Sequence, residues 1–96
     1  MKVRFRSEAA ADVASAREWY DQERLGLGQE FGEALEHVVD LVADFPDAFP
    51  EIAPGLRRAI LRRFPYSVYY RVSGDIIEVV ACLHNSRSPD TWTARR

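Results

Sequence analysis

Residues 57–84 read RRAILRRFPYSVYYRVSGDIIEVVACLH, and this stretch decides the fold. Its period is two, the period of strands. Arg57 to Phe64 forms one strand with arginines at both ends, and Pro65-Tyr66 is a turn signal. In Ser67 to Val72, residues Val68, Tyr70 and Val72 share one face and Tyr69 and Arg71 the other. Ser73-Gly74-Asp75 is a hairpin loop. Ile76 to His84 is the most apolar segment and reads as an inner strand. Strict alternation puts Ile77, Val79, Ala81 and Leu83 on one of its faces, with Glu78 and His84 on the other. Three consecutive strands joined by tight turns make an antiparallel sheet.

Upstream the period changes. Ser7 offers an N-cap oxygen, and Ala9, Val13, Ala16 and Tyr20 follow as one helical stripe. Gly26 and Gly28 interrupt the pattern. Phe31, Leu35, Val38, Val42 and Phe45 make a second, stronger stripe, which Pro46 stops. Before both helices, Lys2 to Arg6 alternates polar and apolar, a short edge strand with Val3 and Phe5 inward. The order is β-α-α-β-β-β. Each helix has one apolar stripe, so the helix hairpin covers one sheet face and leaves the other open. The expected fold is therefore α+β, a single domain over residues 1–96: a helix hairpin at 7–45, an irregular connection at 46–56, the sheet at 57–84 and a tail at 85–96.

Composition excludes much else. The chain has 96 residues, 47% of them hydrophobic, which suits one small core and argues against disorder. Cys82 is the only cysteine, so a disulfide scaffold is excluded, and in an inner strand it reads as a small buried residue. No apolar run is long enough to span a membrane, and Met1 to Arg6 lack the apolar core of a signal peptide; a cytoplasmic location is expected. His37 and His84 are far apart and neither has a nearby Cys or His at ligand spacing, so no metal is expected. No glycine-rich phosphate loop follows a strand, and no cofactor is expected.

The net charge of −2 hides an asymmetry. Residues 1–54 carry five basic side chains against twelve acidic ones, and residues 55–96 carry eight arginines against Asp75, Glu78 and Asp90. Lys2 is the only lysine. Arginine's planar fork grips carboxylate or phosphate with two hydrogen bonds. The second half reads either as a surface that holds an anionic or aromatic partner, or as a solvated sheet face.

The order of elements and several local patterns resemble the RelE/ParE superfamily of small bacterial toxins. The patterns are Leu56-Arg57-Arg58, Arg63-Phe64-Pro65-Tyr66, Val68-Tyr69-Tyr70-Arg71-Val72, and His84-Asn85-Ser86-Arg87-Ser88-Pro89 followed by Trp92. Ala9, Asp12, Val13, Trp19 and Tyr20, with Phe31 opening the second helix, fit as well. The resemblance covers essentially the whole chain. It implies a toxin of a type II toxin–antitoxin system, blocked by a cognate antitoxin in a hetero-oligomer, with DNA reached only indirectly through that antitoxin. ParE-like members are plasmid-stabilisation toxins that poison DNA gyrase; RelE-like members cut messenger RNA on the ribosome.

A ribonuclease needs a base for the 2′-hydroxyl, an acid for the leaving oxygen and cations for the developing charge. Arg71, His84 and Arg87 are the candidates, and Tyr69 is either a base-stacking platform or sheet filling. Against this reading stand the acidic pI of about 5.6 and the near absence of lysine, because a protein entering the ribosome meets a polyanion. The ParE-like branch needs no catalytic group. Its target surface is expected at Arg58, Tyr69, Arg71, His84, Arg87, Trp92 and Arg95, arginine and aromatic side chains being the usual anchors of protein interfaces. Trp92 serves either as such an anchor or as a pin for the tail. The antitoxin, expected to be ParD-like with a ribbon-helix-helix module, is expected at Trp19, Leu25 and Leu27 and, for its acidic part, at Arg58 and Arg71. A partner-binding relative without toxicity is the remaining alternative.

Overall fold

The computed structural model describes residues 1–87 and 95. Strand β1 spans Lys2–Phe5, helix α1 Ser7–Glu23 and helix α2 Leu27–Asp44. Four strands follow: β2 (Glu51–Ala53), β3 (Leu56–Ile60), β4 (Tyr66–Ser73) and β5 (Ile76–His84). They form one five-stranded sheet in the order β1-β5-β4-β3-β2, with β1 parallel to β5 and every other pair antiparallel. The helix hairpin lies on one face, the expected α+β arrangement.

The two stripes read from sequence form the helical side of the core. Ala9, Ala16 and Tyr20 of α1 and Phe31, Leu35, Val38 and Val42 of α2 are buried against Ala59, Val68, Tyr70, Ile77 and Val79. An aromatic cluster closes one end: Tyr20 stacks on Phe31 at 5.6 Å, and Phe64 meets both rings edge-on. Tyr70, fully buried, donates its hydroxyl to the Pro46 carbonyl at 2.6 Å and so ties the end of α2 to the sheet.

Four local expectations are corrected. Ser7 is the first helical residue rather than the N-cap. Arg6 takes that place, because its N–H still bonds Val79 of β5 while its carbonyl already accepts from Ala10. Helix α2 begins at Leu27, not Phe31: Gly26, at φ 92°, makes the turn, and Gly28 is helical. A Cβ on Gly28 would lie 2.5 Å from the Arg17 carbonyl, and its N–H is received by the Asp21 carboxylate at 2.8 Å. That glycine marks close helix approach, not a break. The 46–56 connection is not wholly irregular, since Glu51–Ala53 pairs with β3, and β3 itself ends at Ile60.

The fourth correction concerns faces. Tyr69 pairs with Ala81 but Tyr70 with Val79, so Val80 is an extra residue in β5, a β-bulge. The bulge reverses the alternation beyond it. Ala81 and Leu83 join Leu56, Tyr69 and Val80 in a second apolar cluster on the face away from the helices. Cys82 and His84 turn to the helix side instead. The sheet face opposite the helices is therefore polar toward the β4–β5 hairpin and apolar in its middle.

Cys82 follows the sequence reading. It is 1% exposed, and burial, reinforced by the Asp12 charge, pushes its thiol up to about 12. It should resist alkylation in the native protein at pH 8 and react fully in denaturant, as mass spectrometry of iodoacetamide-treated samples will read.

Candidate functional site

Two neighbourhoods gather the side chains singled out from sequence. The first is the outer sheet face. Arg58 and Tyr69 are direct cross-strand partners, with the guanidinium 5.9 Å from the ring centroid. Arg58 Nε donates to Ser67 Oγ at 3.0 Å and Nη2 to Asn85 Oδ1 at 3.2 Å, while Ser67 Oγ donates to Asn85 Oδ1 at 2.6 Å. This triangle fixes the guanidinium on Ser67 of β4 and on Asn85, in the turn after β5. The Tyr69 ring is only 3% exposed, and burial raises its phenol pKa against the opposing pull of Arg58. Tyr69 therefore supports Arg58 from beneath more than it offers a stacking surface. Ser67 and Asn85 were not singled out from sequence. The available signal was Ser67, a small polar residue on the face shared by Tyr69 and Arg71.

Farther along the same face, Arg71 Nε sits 3.0 Å from Glu78, which Arg4 and Arg6 also reach at 3.2 and 3.0 Å. The bond from Arg6, more than those from Arg71 and Arg4, holds the Glu78 carboxyl below its ordinary range despite desolvation. Unfolded, the same carboxyl titrates near about 4.3. Its contribution to stability is thus complete above that value and is lost as pH falls through the lower native value. Glu78→Gln should flatten the acid limb of a stability–pH curve measured by urea unfolding.

The second neighbourhood lies on the helix side, at the far end of β5. Trp19, Tyr20, Pro65, Tyr66 and His84 line a cavity of about 300 Å³. Arg87 and Asp12 border an adjoining one of about 260 Å³. His84 meets the Tyr66 ring edge-on at 5.3 Å. Its Nδ1 accepts the Ser86 backbone N–H at 3.0 Å, which leaves the ring proton of a neutral imidazole on Nε2. In that tautomer Nε2 is a donor, the role of a general acid rather than of a base.

The predicted site residues are thus divided. Arg58, Tyr69 and Arg71 share the outer face, whereas His84 and Arg87 lie by the helix-side cavity. Arg71 is in register with Glu78, six residues along β5 from His84, about 20 Å of strand. The triple Arg71, His84 and Arg87 does not converge on one point. Arg95 is bound within the chain: its guanidinium bridges both Asp12 oxygens at 2.5 and 3.2 Å, and its carbonyl receives Arg6. Asp12 also accepts the Cys82 N–H at 3.0 Å. Trp92 lies outside the described residues. On the helical layer Trp19 is 53% and Leu25 88% exposed, while Leu27 packs against the core. Of the β3-region arginines, Arg57 turns to the helix side and holds the Phe49 carbonyl at 2.6 Å, and Arg63 pairs with Glu30 at 2.8 Å.

Residues 3–89 match the family described as ParE toxin of type II toxin-antitoxin system, parDE. The chain belongs to the ParE toxin family. A solved structure from the "Chromosomal ParDE TA system from P. aeruginosa" superposes with a TM-score of 0.64 at 24% identity, over 88% of this chain and 95% of that one. That likeness is one of fold. No curated protein matches the chain. Among the described residues of this ParE-family domain, no helix is long and apolar enough to cross a membrane, and no cluster of His, Cys, Asp or Glu could hold a metal ion.

Proposed function

We propose that this ParE-family chain is a cytoplasmic toxin that stops bacterial growth by binding and poisoning DNA gyrase, and that a ParD-like antitoxin neutralises it. The observation that carries the reading is the family match across residues 3–89. The chemistry of the outer face supports it. Arg58 and Arg71 are held by neighbouring side chains on rigid strands, so little side-chain entropy is lost when a target engages them. Such a surface binds without making or breaking covalent bonds. The ribonuclease alternative is disfavoured by the separation of Arg71 from His84 and Arg87. Arg87 and Trp19, beside the helix-side cavity, and Leu25 extend the surface open to a partner.

The antitoxin is proposed to contact Trp19 and Leu25 with apolar side chains, and Arg58 and Arg71 with acidic ones. An antitoxin strand added at the outer edge of β1, which is an edge strand among the described residues, is the backbone counterpart. Replacing Arg58 and Arg71 together should weaken antitoxin binding at least about tenfold, the scale of losing one or two charged hydrogen bonds; unchanged affinity contradicts the charge assignment. Expression in a bacterium without the antitoxin tests the function itself. Filamentous growth with DNA-damage signalling and intact messenger RNA is the expected result. Early translational arrest with cuts at codon positions would replace it with the ribonuclease reading, and normal growth with a non-toxic one.

A further inference from the structure

Along β1 and into the residue after it, Lys2, Arg4 and Arg6 alternate with Val3 and Phe5, which pack toward the helices. The three cations therefore share the outer face, about 6.6 Å apart along the chain. The row continues across the sheet, because Arg4 is in register with Glu78 and Glu78 with Arg71. Three arginines thus gather at one carboxylate, with Lys2 beside them on the same face, in a chain whose net charge is −2. A carboxylate offers about four acceptor positions, whereas three guanidiniums bring about fifteen N–H donors. Glu78 orients the three arginines; Arg6 also donates to the Arg95 carbonyl and is mostly enclosed, whereas most donors of Arg4 and Arg71 stay open. The side chains of Arg4 and Arg71 are 64% and 43% exposed.

We infer that this row is a binding site for the phosphodiester backbone of a nucleic acid, contacted by the toxin domain itself rather than through an antitoxin. The row shares Arg71 with the proposed antitoxin contact, so the two partners would compete there. For the row as a whole in the antitoxin-free toxin, two observations favour phosphate over an acidic protein segment. The site lies over the face, from β1 across β5 to β4, where a linear polyanion reaches Arg4 and Arg71 together. A peptide strand added at the β1 edge would sit beside the row. Protein interfaces also rely on apolar or aromatic anchors. Of the large exposed ones, Met1 and Val72 belong to the chain end or the opposite side, and Ile60, on the outer face, is in register with Ser67, two strands from β5 and four residues along β4 from Arg71. A patch of cations without such an anchor fits phosphate contacts, which position without reading sequence.

The test is fluorescence anisotropy with a short labelled DNA duplex across a salt series. The expected result is saturable binding at low salt, independent of base sequence. Its log affinity should fall with log salt at a slope of about −3 for three to four phosphate contacts. Arg4→Gln with Arg71→Gln should weaken binding at least tenfold and bring the slope near about −1. Arg6 remains to pair Glu78 in that variant. Lys2→Gln, outside the ion-pair cluster, should reduce the slope by about one and guards against a folding artefact. Arg24→Gln, on the helical layer, should leave the slope unchanged. Absence of binding at low salt, a slope unaltered in the Arg4/Arg71 variant, or displacement of DNA by polyglutamate at lower charge concentration would each overturn the inference.

Discussion

Phe31→Ala is expected to lower the free energy of unfolding by about 3–5 kcal/mol, the range for a buried aromatic cut back to a methyl group. Phe31 is fully buried at the start of α2. Its ring stacks on Tyr20 at 5.6 Å and meets Phe64 and Tyr66 edge-on at 5.4 and 5.1 Å. It therefore joins both helices to the segment that leads into β4. Deleting it opens a cavity whose walls are rigid rings on three different elements, so collapse to fill the space is poor. A domain of this size is stable by about 5–15 kcal/mol. The variant should consequently unfold at much lower urea concentration with an unchanged slope. Phe31→Leu should recover more than half of the loss. A midpoint within error of the parent would show that the aromatic cluster is not the keystone described.

Asp12→Ala is expected to cost about 2–4 kcal/mol, for a different reason: unsatisfied polar groups rather than lost packing. Strand β1 pairs with β5 through Phe5 and Val79, and beyond that point β5 turns its edge to α1. There the Asp12 carboxylate takes the place of a neighbouring strand, accepting the Cys82 N–H. The same carboxylate holds Arg95, whose pKa is raised chiefly by that bond. Alanine leaves a buried donor and a mostly enclosed guanidinium without their partner. Asp12→Asn keeps an acceptor for Cys82 while removing the charge, so it should recover part of the loss. Amide exchange at Cys82, fast in Asp12→Ala and slow in Asp12→Asn, separates the two contributions. Equal exchange in both variants would place the whole effect on Arg95.

Much of this fold is legible in the chain because apolar stripes and alternation carry it. Phe31, Leu35, Val38 and Val42 could face only one way, and Val68 and Tyr70 marked the core side of β4 without ambiguity. The reading failed at Val80. Between Val79 and Leu83 every residue is apolar or small, so nothing in the sequence fixes which face comes next, and a one-residue bulge passes unseen. That single residue moved His84 to the other side of the sheet from Arg71 and divided a site that alternation had drawn as one. Strand β2 was hidden for another reason: three residues between Pro50 and Pro54 are too few to show a period. Gly28 was legible as a glycine but not as a contact point, since its meaning depends on Arg17 and Asp21 across the hairpin. Arg95 looked free in a polar tail, and only the tertiary structure brings it to Asp12, 83 residues earlier in sequence.

Purified protein added to DNA gyrase, relaxed plasmid and ATP gives the most direct check on how this domain acts. Loss of supercoiling with accumulation of cleaved plasmid is expected, reversed by antitoxin and absent when Arg58 and Arg71 are both replaced in a variant that still folds. Undiminished supercoiling at saturating toxin, while translating ribosomes lose their messenger RNA to the same preparation, would contradict it.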